Sequence, residues 1–477
     1  MVRKYKLRPR PTARVDRFSI LPDEVAHHIL SFLKFIDLVR VSTVSKTCRR
    51  FYLSIPSLKI NRYNLYARRD QEEVELLNFL DRYFFNRGDN RIQHFHIHWS
   101  FNWKPSNEQI QVTEWIDKAV RCDVEVLDIS FCALPPLFVM PSSVFVSQSL
   151  RSLSVHLHGV ILQAPSSSLL CNLHSLKLSE IKIVDECLFK WISCSCKCIK
   201  ELQLDQIRGL PKITIESSSL KSFKVWSKDL FHLNIFGDKI EDIHITWRKF
   251  YPPPSRKWLN ISAPNLKYLK WEGNLMNIQN LGILMSLEKA VVFLESAVNE
   301  FDNVFKVICS ISRAKVVILN EWTIKALLRE YIIPTPLDDL CCFGVELKNL
   351  NDDLVPAVVS LLREMPNLNT LQIQCSPRSS VANSRCSGID MGFWKLQNLA
   401  FIYQLKEAKL WLSNGSNGIE LAKYILEHAQ NLEKMVIFHL FKDSDVVREL
   451  KSKMISNATV VCHVSKDERA TSLRFIR

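Results

Sequence analysis

Between Val124 and Trp271 one spacing keeps returning: an apolar residue, two others, an apolar residue, one other, an apolar residue. It appears as Val124-Leu127-Ile129, Leu150-Leu153-Val155, Leu173-Leu176-Leu178 and Ile199-Leu202-Leu204. It continues as Leu220-Phe223-Val225, Ile240-Ile243-Ile245 and Leu266-Leu269-Trp271, with steps of 26, 23, 26, 21, 20 and 26 residues between starts. Alternation over the last positions marks a strand with one buried face. A unit this short holds one strand and one return segment, and it cannot cover its own apolar side. Stacking neighbours at about 4.8 Å joins the apolar rows into one core under a parallel sheet. Leu230-Leu233-Ile235 falls halfway inside one period, which leaves either an extended return segment or a tight turn.

The residues between the apolar positions alternate to the other face of the sheet. They include Ser152, Ser154, Ser175, Lys177, Glu201 and Gln203, then Ser222, Lys224, Asp242, His244, Tyr268 and Lys270. The row is polar, part basic and part aromatic, as a protein-binding surface would be. The spacing becomes less regular after Leu275. Strands are still expected at LEKAVVFL from Leu287, at Lys315 to Leu319 and at LNTLQIQC from Leu368. Helices are expected in NEFDNVFKVICSISR, in EWTIKALLREY and from Asp352 or Asp353 through Leu362. Upstream, Glu72 to Arg87 has helical spacing through Val74, Leu77, Leu80 and Phe84. Arg91 to Phe101 alternates like a strand, and EQIQVTEWIDKAVRC is helical.

Near the N-terminus, Asp16 to Leu58 carries short amphipathic helices. Pro22 suits a first helical turn, Asp23 and Glu24 complement the helix N-terminus, and Val25, Ile29, Leu30 and Leu33 form an apolar stripe. Asp37 is an N-cap for a second helix striped by Leu38, Val41, Val44 or Ser45, Cys48 and Phe51. About 45 residues cannot bury a sufficient core alone, so these stripes face the rest of the chain or another protein.

LPDEVAHHILSFL followed by DLVRVSTVSKTCRRF resembles an F-box, the adaptor-binding module of SCF-type ubiquitin ligases. The strand-bearing period resembles leucine-rich repeats. Phe393 to Phe438, with ILEHAQNLEKMVI as its most specific part, is similar to the FBD module of plant F-box/leucine-rich-repeat proteins. In that segment KEAKLWL and LEKMVIF read as strands around an NGSNG turn and an amphipathic helix. Ser444 caps a last helix, and VVCHV makes a final strand. The F-box family usually has Trp where this chain has Cys48. The resemblance implies an α/β architecture: a helical F-box, then a leucine-rich-repeat solenoid with a curved parallel sheet and mixed helix and loop return segments. The expected division is a basic disordered tail at 1–15, the F-box at 16–60, the repeat array at 61–375, a Ser-rich loop at 376–388, the FBD module at 389–465 and a tail at 466–477.

Functionally, the resemblance implies a non-catalytic substrate-recognition subunit. Its F-box would dock a Skp-family adaptor and, through it, a cullin; its repeats would bind a target protein not identified by the sequence. The residues expected to dock the adaptor, or to form the core behind it, are Leu21, Pro22, Ile29, Leu30, Leu33, Leu38, Val41, Val44 and Ser45. The alternative is a repeat scaffold with a decayed F-box and no ligase role, for which Cys48 speaks. Some plant family members hold a small molecule and a polyphosphate in the array, but nothing here localises such a pocket.

Composition narrows the remaining classes. Gly is scarce at 11 residues, which argues against Gly-rich nucleotide-binding folds, and no apolar run is long enough for a membrane span. Fourteen irregularly placed Cys without a signal peptide read as reduced thiols of the nucleus or cytoplasm. The net charge of +14 is scattered, apart from Arg3, Lys4, Lys6, Arg8, Arg10 and Arg14, and it lacks the aromatic-plus-basic pattern of RNA modules. That basic stretch reads as a solvated arm, with a nuclear signal as the second reading. No Walker loop, nucleophile elbow or HExxH helix is present. Cys194, Cys196 and Cys198 lack a second pair at zinc spacing. His94, His96 and His98 share a strand face with no acidic or Cys partner evident nearby. No metal or cofactor is therefore expected.

Overall fold

The computed structural model describes residues 18, 20–62, 70–101, 107–132, 140–162, 171–228, 230–247, 257–275, 278–295, 301–327, 337–375, 389, 391–412, 416–439, 450, 452 and 458–464. The basic tail, the Ser-rich segment and the Ser444 cap lie outside these residues, as does the side chain of Val74. The chain divides into two compact units, Met1–Lys182 and Ile183–Arg477.

The first unit opens with three short helices, α1 (Asp23–Leu30), α2 (Phe35–Ser42) and α3 (Lys46–Ser54). Ser45 caps α3, its hydroxyl accepting from the Cys48 amide at 3.0 Å, which satisfies one of the orphan donors of a helix start. Ala26, Leu30, Phe35, Leu38, Cys48 and Phe51 point inward. A strand, β1 (Ser57–Asn61), follows directly, where the sequence suggested only the end of the F-box and a connector. Then come α4 (Asp70–Arg87), β2 (His94–Ser100), α5 (Glu108–Arg121), β3 (Val126–Cys132), α6 (Ser142–Val146), β4 (Ser152–His156) and β5 (Ser175–Ser179). The five strands are parallel and paired in chain order. The register sets Leu58, Phe95, Leu127, Leu153 and Leu176 in one buried row. Behind them the rings of Phe84 and Trp115 stack at 5.9 Å, and Trp99 meets Trp115 edge-on at 5.4 Å. The Trp99 indole N–H donates to the buried Glu108 carboxylate at 2.7 Å, and Arg62 pairs with that same carboxylate.

The second unit begins with α7 (Cys187–Ser195) and β6 (Glu201–Asp205), followed by β7 (Lys212–Glu216), β8 (Ser222–Ser227), β9 (His232–Phe236), β10 (Asp242–Trp247), β11 (Trp258–Ser262), β12 (Tyr268–Asn274) and β13 (Ile278–Asn280). Next are β14 (Lys289–Glu295), α8 (Phe301–Ser310), β15 (Val316–Asn320), α9 (Glu321–Leu327), β16 (Cys342–Leu347), α10 (Val355–Arg363) and β17 (Thr370–Cys375). The unit closes with α11 (Met391–Leu396), a 3-10 turn at Ala400–Tyr403, β18 (Glu407–Leu412), α12 (Ser416–His428), β19 (Lys434–His439) and β20 (Thr459–Val464). Its main sheet runs β6-β8-β10-β12, then β14 through β20 in order, all parallel. One buried row crosses Leu202, Phe223, Ile243, Leu269, Ala290, Val317, Phe343, Leu371, Ala408 and Met435.

That row corrects the expectation of lost regularity after Leu275. The same spacing continues as Leu287-Ala290-Val292, Ala314-Val317-Leu319, Leu340-Phe343-Val345, Leu368-Leu371-Ile373, Leu405-Ala408-Leu410 and Leu432-Met435-Ile437, all buried. Ile55-Leu58-Ile60 and Ile92-Phe95-Ile97 extend it upstream. What varies is the return segment.

Leu233 and Ile235 lie on β9, in a second sheet ordered β13-β11-β9-β7. The half-period motif is thus an extended return, not a turn. Length bears on the choice without deciding it. An extended residue advances about 3.3 Å and a helical one 1.5 Å, so extension suits a short return. Strand returns serve the 21- and 20-residue steps from Ile199 and Leu220, and β11 serves the 26-residue step from Ile240 as well. Helices take over where strand starts at Lys289, Val316 and Cys342 stand 27 and 26 residues apart.

The NGSNG segment is also more helical than its sequence suggests. α12 starts at Ser416, and Asn417 is fully buried in its first turn. The Asn417 amide donates to the Leu350 carbonyl at 3.2 Å and to Asp352 at 2.8 Å, and its oxygen accepts from the Ile389 amide at 2.8 Å.

Candidate functional site

Helix α1 carries a wide apolar stripe. Ala26 and Leu30 face inward, Leu30 being 1% exposed. Val25 and Ile29, at i and i+4 on the adjacent side, are 44% and 43% exposed, and Phe32, two residues past the helix, is 76% exposed. Ile20 just before the helix and Val44 just after α2 are also large, apolar and exposed. Water-facing apolar side chains in such a short stretch are the unusual observation, because single ones are ordinary and clustered ones mark contact surfaces.

The structure thereby divides the nine expected residues. Pro22, Ile29 and Val44 are exposed, whereas Leu21, Leu33, Val41 and Ser45 are half-buried. Leu30 and Leu38 are core. Ser45 acts as the α3 cap. Ile20, Val25 and Phe32 were absent from that set; the apolar residues flanking and widening the α1 stripe were the signal that could have found them. Cys48 is buried inside the module, at 4% exposure, so its side chain packs within the helices instead of facing a partner.

Polar contacts hold the outer helices in place. Arg50 of α3 pairs with Asp23 of α1 at 3.0 Å, and Arg40 pairs with Asp37 at 2.9 Å within α2. His27 Nε2 lies 2.9 Å from the Ser54 hydroxyl. Burial pushes the His27 imidazole below its ordinary pKa; Asp23 and Glu24 oppose this, and Arg87 and Arg50 reinforce it.

The polar rows of the sheets point away from the core as expected. In the first unit His94, His96 and His98 do not gather on one centre. His94 is exposed, His96 Nδ1 lies 2.8 Å from Asp128, and His98 Nδ1 lies 2.9 Å from the Ser130 hydroxyl. An acidic partner is therefore present after all, supplied by the adjacent strand. Burial opposes the Asp128 carboxylate, but His96, Ser154 and Lys177 outweigh it and keep its pKa low. In the second unit His244 pairs with Asp242 at 2.9 Å and packs on the Tyr268 ring at 4.9 Å. Lys270 pairs with Glu272 at 2.8 Å, and Trp411 stacks on Phe438 at 4.5 Å. Cys194 lies in the last turn of α7 and is exposed, Cys196 is buried and Cys198 is exposed, so the CxCxC run presents no common ligand face.

A short helical module followed by strand-and-return repeats on a parallel sheet defines an F-box joined to leucine-rich repeats, and sequence comparison agrees. The F-box domain profile matches residues 18–51, and a profile described as "FBD-associated F-box protein At5g56370, LRR repeats" matches residues 112–293. The chain thus carries an F-box and leucine-rich repeats and is similar to plant F-box/leucine-rich-repeat proteins. It is 25% identical to an Arabidopsis thaliana protein named as an F-box/FBD/LRR-repeat protein, At5g22610, over 88% of this chain and 83% of the relative. It is also 25% identical to the FBD-associated F-box protein At5g22730 over 92% and 91%, and 22% identical to the F-box/LRR-repeat protein At4g14096 over 96% of each, both from the same plant. Among the described residues no helix is long and apolar enough to cross a membrane.

Proposed function

We propose that this chain is the substrate-recognition subunit of an SCF-type ubiquitin ligase. The outer face of its N-terminal helices docks a Skp-family adaptor, which links it to a cullin, and the polar sheet faces of the repeats bind the target protein. The observation that carries this reading is the exposed apolar cluster of Val25 and Ile29 on α1 with Phe32 just past its end, beside the buried Ala26 and Leu30 of the same helix. An apolar face wider than the part the chain covers calls for a second partner. Burying Ile29 and Phe32 against an adaptor contributes roughly 1.5–3 kcal/mol each. The protein makes no bond itself; it raises the effective concentration of target lysines near a charged ubiquitin carrier. Nuclear or cytoplasmic residence fits such a role. The second reading, a decayed F-box, rests on Cys48 standing where the family usually has Trp, and measured adaptor affinity separates the two.

The test is titration of the full-length chain with a purified Skp-family adaptor. The wild type should bind, and Ile29→Asp with Phe32→Asp should lose most of the affinity while keeping the wild-type circular dichroism. Equal binding by the folded double variant, or no binding by the wild type, would overturn the proposal.

A further inference from the structure

We propose that His156 and His158 bind a divalent transition-metal ion of the zinc class through their Nε2 atoms, with Glu180 holding His158 in position. This site lies on the repeat strands of the first unit and is independent of adaptor docking.

His156 ends β4 on the face opposite the core, His158 follows two residues later, and Glu180 follows β5. The β4–β5 register sets His156 opposite Ser179, which brings Glu180 beside the turn after β4, and the Gly159 amide donates to the Glu180 carbonyl. The two Nε2 atoms stand 3.2 Å apart, with the rings at 86° to one another. His158 Nδ1 lies 2.7 Å from Glu180 Oε2. Ligand atoms of all three residues fall within 4.8 Å of one another, the one such group of three among the described residues. The His158 side chain is 42% exposed, which gives an ion a route in.

The chemistry fits a metal in two respects. Two nitrogens at about 2.0–2.1 Å from a tetrahedral ion lie roughly 3.3 Å apart, close to the spacing already present. A carboxylate accepting from His158 Nδ1–H fixes the tautomer whose Nε2 carries a lone pair, as in carboxylate–histidine–zinc arrangements. Without an ion, His156 Nε2–H can donate to that lone pair. Binding an ion requires His156 to move its proton to Nδ1, with no net proton change. His158 and Glu180 have left-handed backbones, with φ of 42° and 51°. Gln206, which directly follows β6, shares that form at 50°, so the turn belongs to the repeat and only the side chains make it a site. With two imidazole ligands the remaining positions are open to water, and imidazole selects late first-row ions over calcium or magnesium.

The test uses the full-length chain without a polyhistidine tag and with Cys171, Cys187, Cys194 and Cys198, the exposed cysteines among the described residues, changed to Ser to reduce competition from thiolates. Zinc titration against a chromophoric chelator should give one ion per chain. His158→Ala and His156→Asn should each weaken binding by at least about tenfold, and Glu180→Gln by about 10–100-fold, with unchanged circular dichroism. Cobalt loading should show nitrogen and oxygen ligation without a thiolate charge-transfer band. Absence of zinc binding, or binding equal in the parent and in both folded histidine variants, would overturn the site.

Discussion

Arg87 of α4 donates a hydrogen bond to the main-chain oxygen of Ile55, the residue that follows α3 as its C-cap. The same guanidinium donates to the Tyr83 hydroxyl at 3.0 Å and to the Arg91 carbonyl at 2.9 Å, and the side chain is 2% exposed. A buried cation of this kind persists only where several acceptors meet it. It ties the F-box to the first repeat helix, next to the contact of Phe35 with Tyr83 at 5.1 Å. Arg87→Met should therefore lower stability by about 2–3 kcal/mol. Urea unfolding read by hydrogen exchange in α1–α3 checks this; protection unchanged there would refute the tie.

Leu30→Asp should behave unlike the outer-stripe substitutions. A carboxylate at a site 1% exposed unfolds the helical module rather than only blocking its surface. The measurable outcome is loss of helical signal from residues 23–54 in the free chain, before any adaptor is added. A folded Leu30→Asp module would show that Leu30 is not core.

Gly273→Ala should destabilise the second unit. Gly273 has φ of +107°, and an added Cβ would stand 1.9 Å from the carbonyl oxygen of Trp247, its neighbour in register. Trp247 is itself buried, its indole donating to the Leu230 carbonyl at 2.5 Å, so the backbone there has little room to retreat. The backbone form alone costs about 1–3 kcal/mol for a non-glycine residue. Thermal unfolding should show a lower midpoint for this variant, whereas Gly88→Ala, with positive φ but nothing near the added atom, should lose less.

The F-box should weaken on mild acidification. The folded-state pKa of His27 lies below its unfolded value, so the unfolded chain binds the proton more readily. Stability from this group is complete above about pH 6.5 and is lost as pH falls through the lowered folded value. His27→Gln, which keeps a partner for Ser54, should flatten that part of the profile. Melting curves between about pH 5 and 7.5 decide it; parallel profiles for both proteins would remove His27 as the cause.

Much of the strand framework was open to reading from spacing, since a strand with one buried face alternates wherever it lies. Leu340-Phe343-Val345 escaped notice because Gly344 sits between its apolar partners, and Leu405-Ala408-Leu410 because Ala is a weak hydrophobic signal. The return segments were harder. Leu233 and Ile235 have the spacing of a main-sheet strand, and only their register partners Ile213, Ile215, Leu259 and Ile261 reveal the second sheet. The candidate docking face was half legible. Sequence pools Ile29 with Leu30, and only packing tells which side of α1 is turned to water. His158 and Glu180 meet because adjacent strands are in register, a relation that no local motif records.

The second sheet has a consequence for how the array can lengthen or shorten. Where helices make the return, as between β14 and β17, an added repeat need only find a place in one ladder. From β6 to β13 each repeat is laced twice, once through its main strand and once through its return strand. A duplication or loss there has to close both seams at once, so the middle of the chain should be the part least free to change its repeat number over evolutionary time.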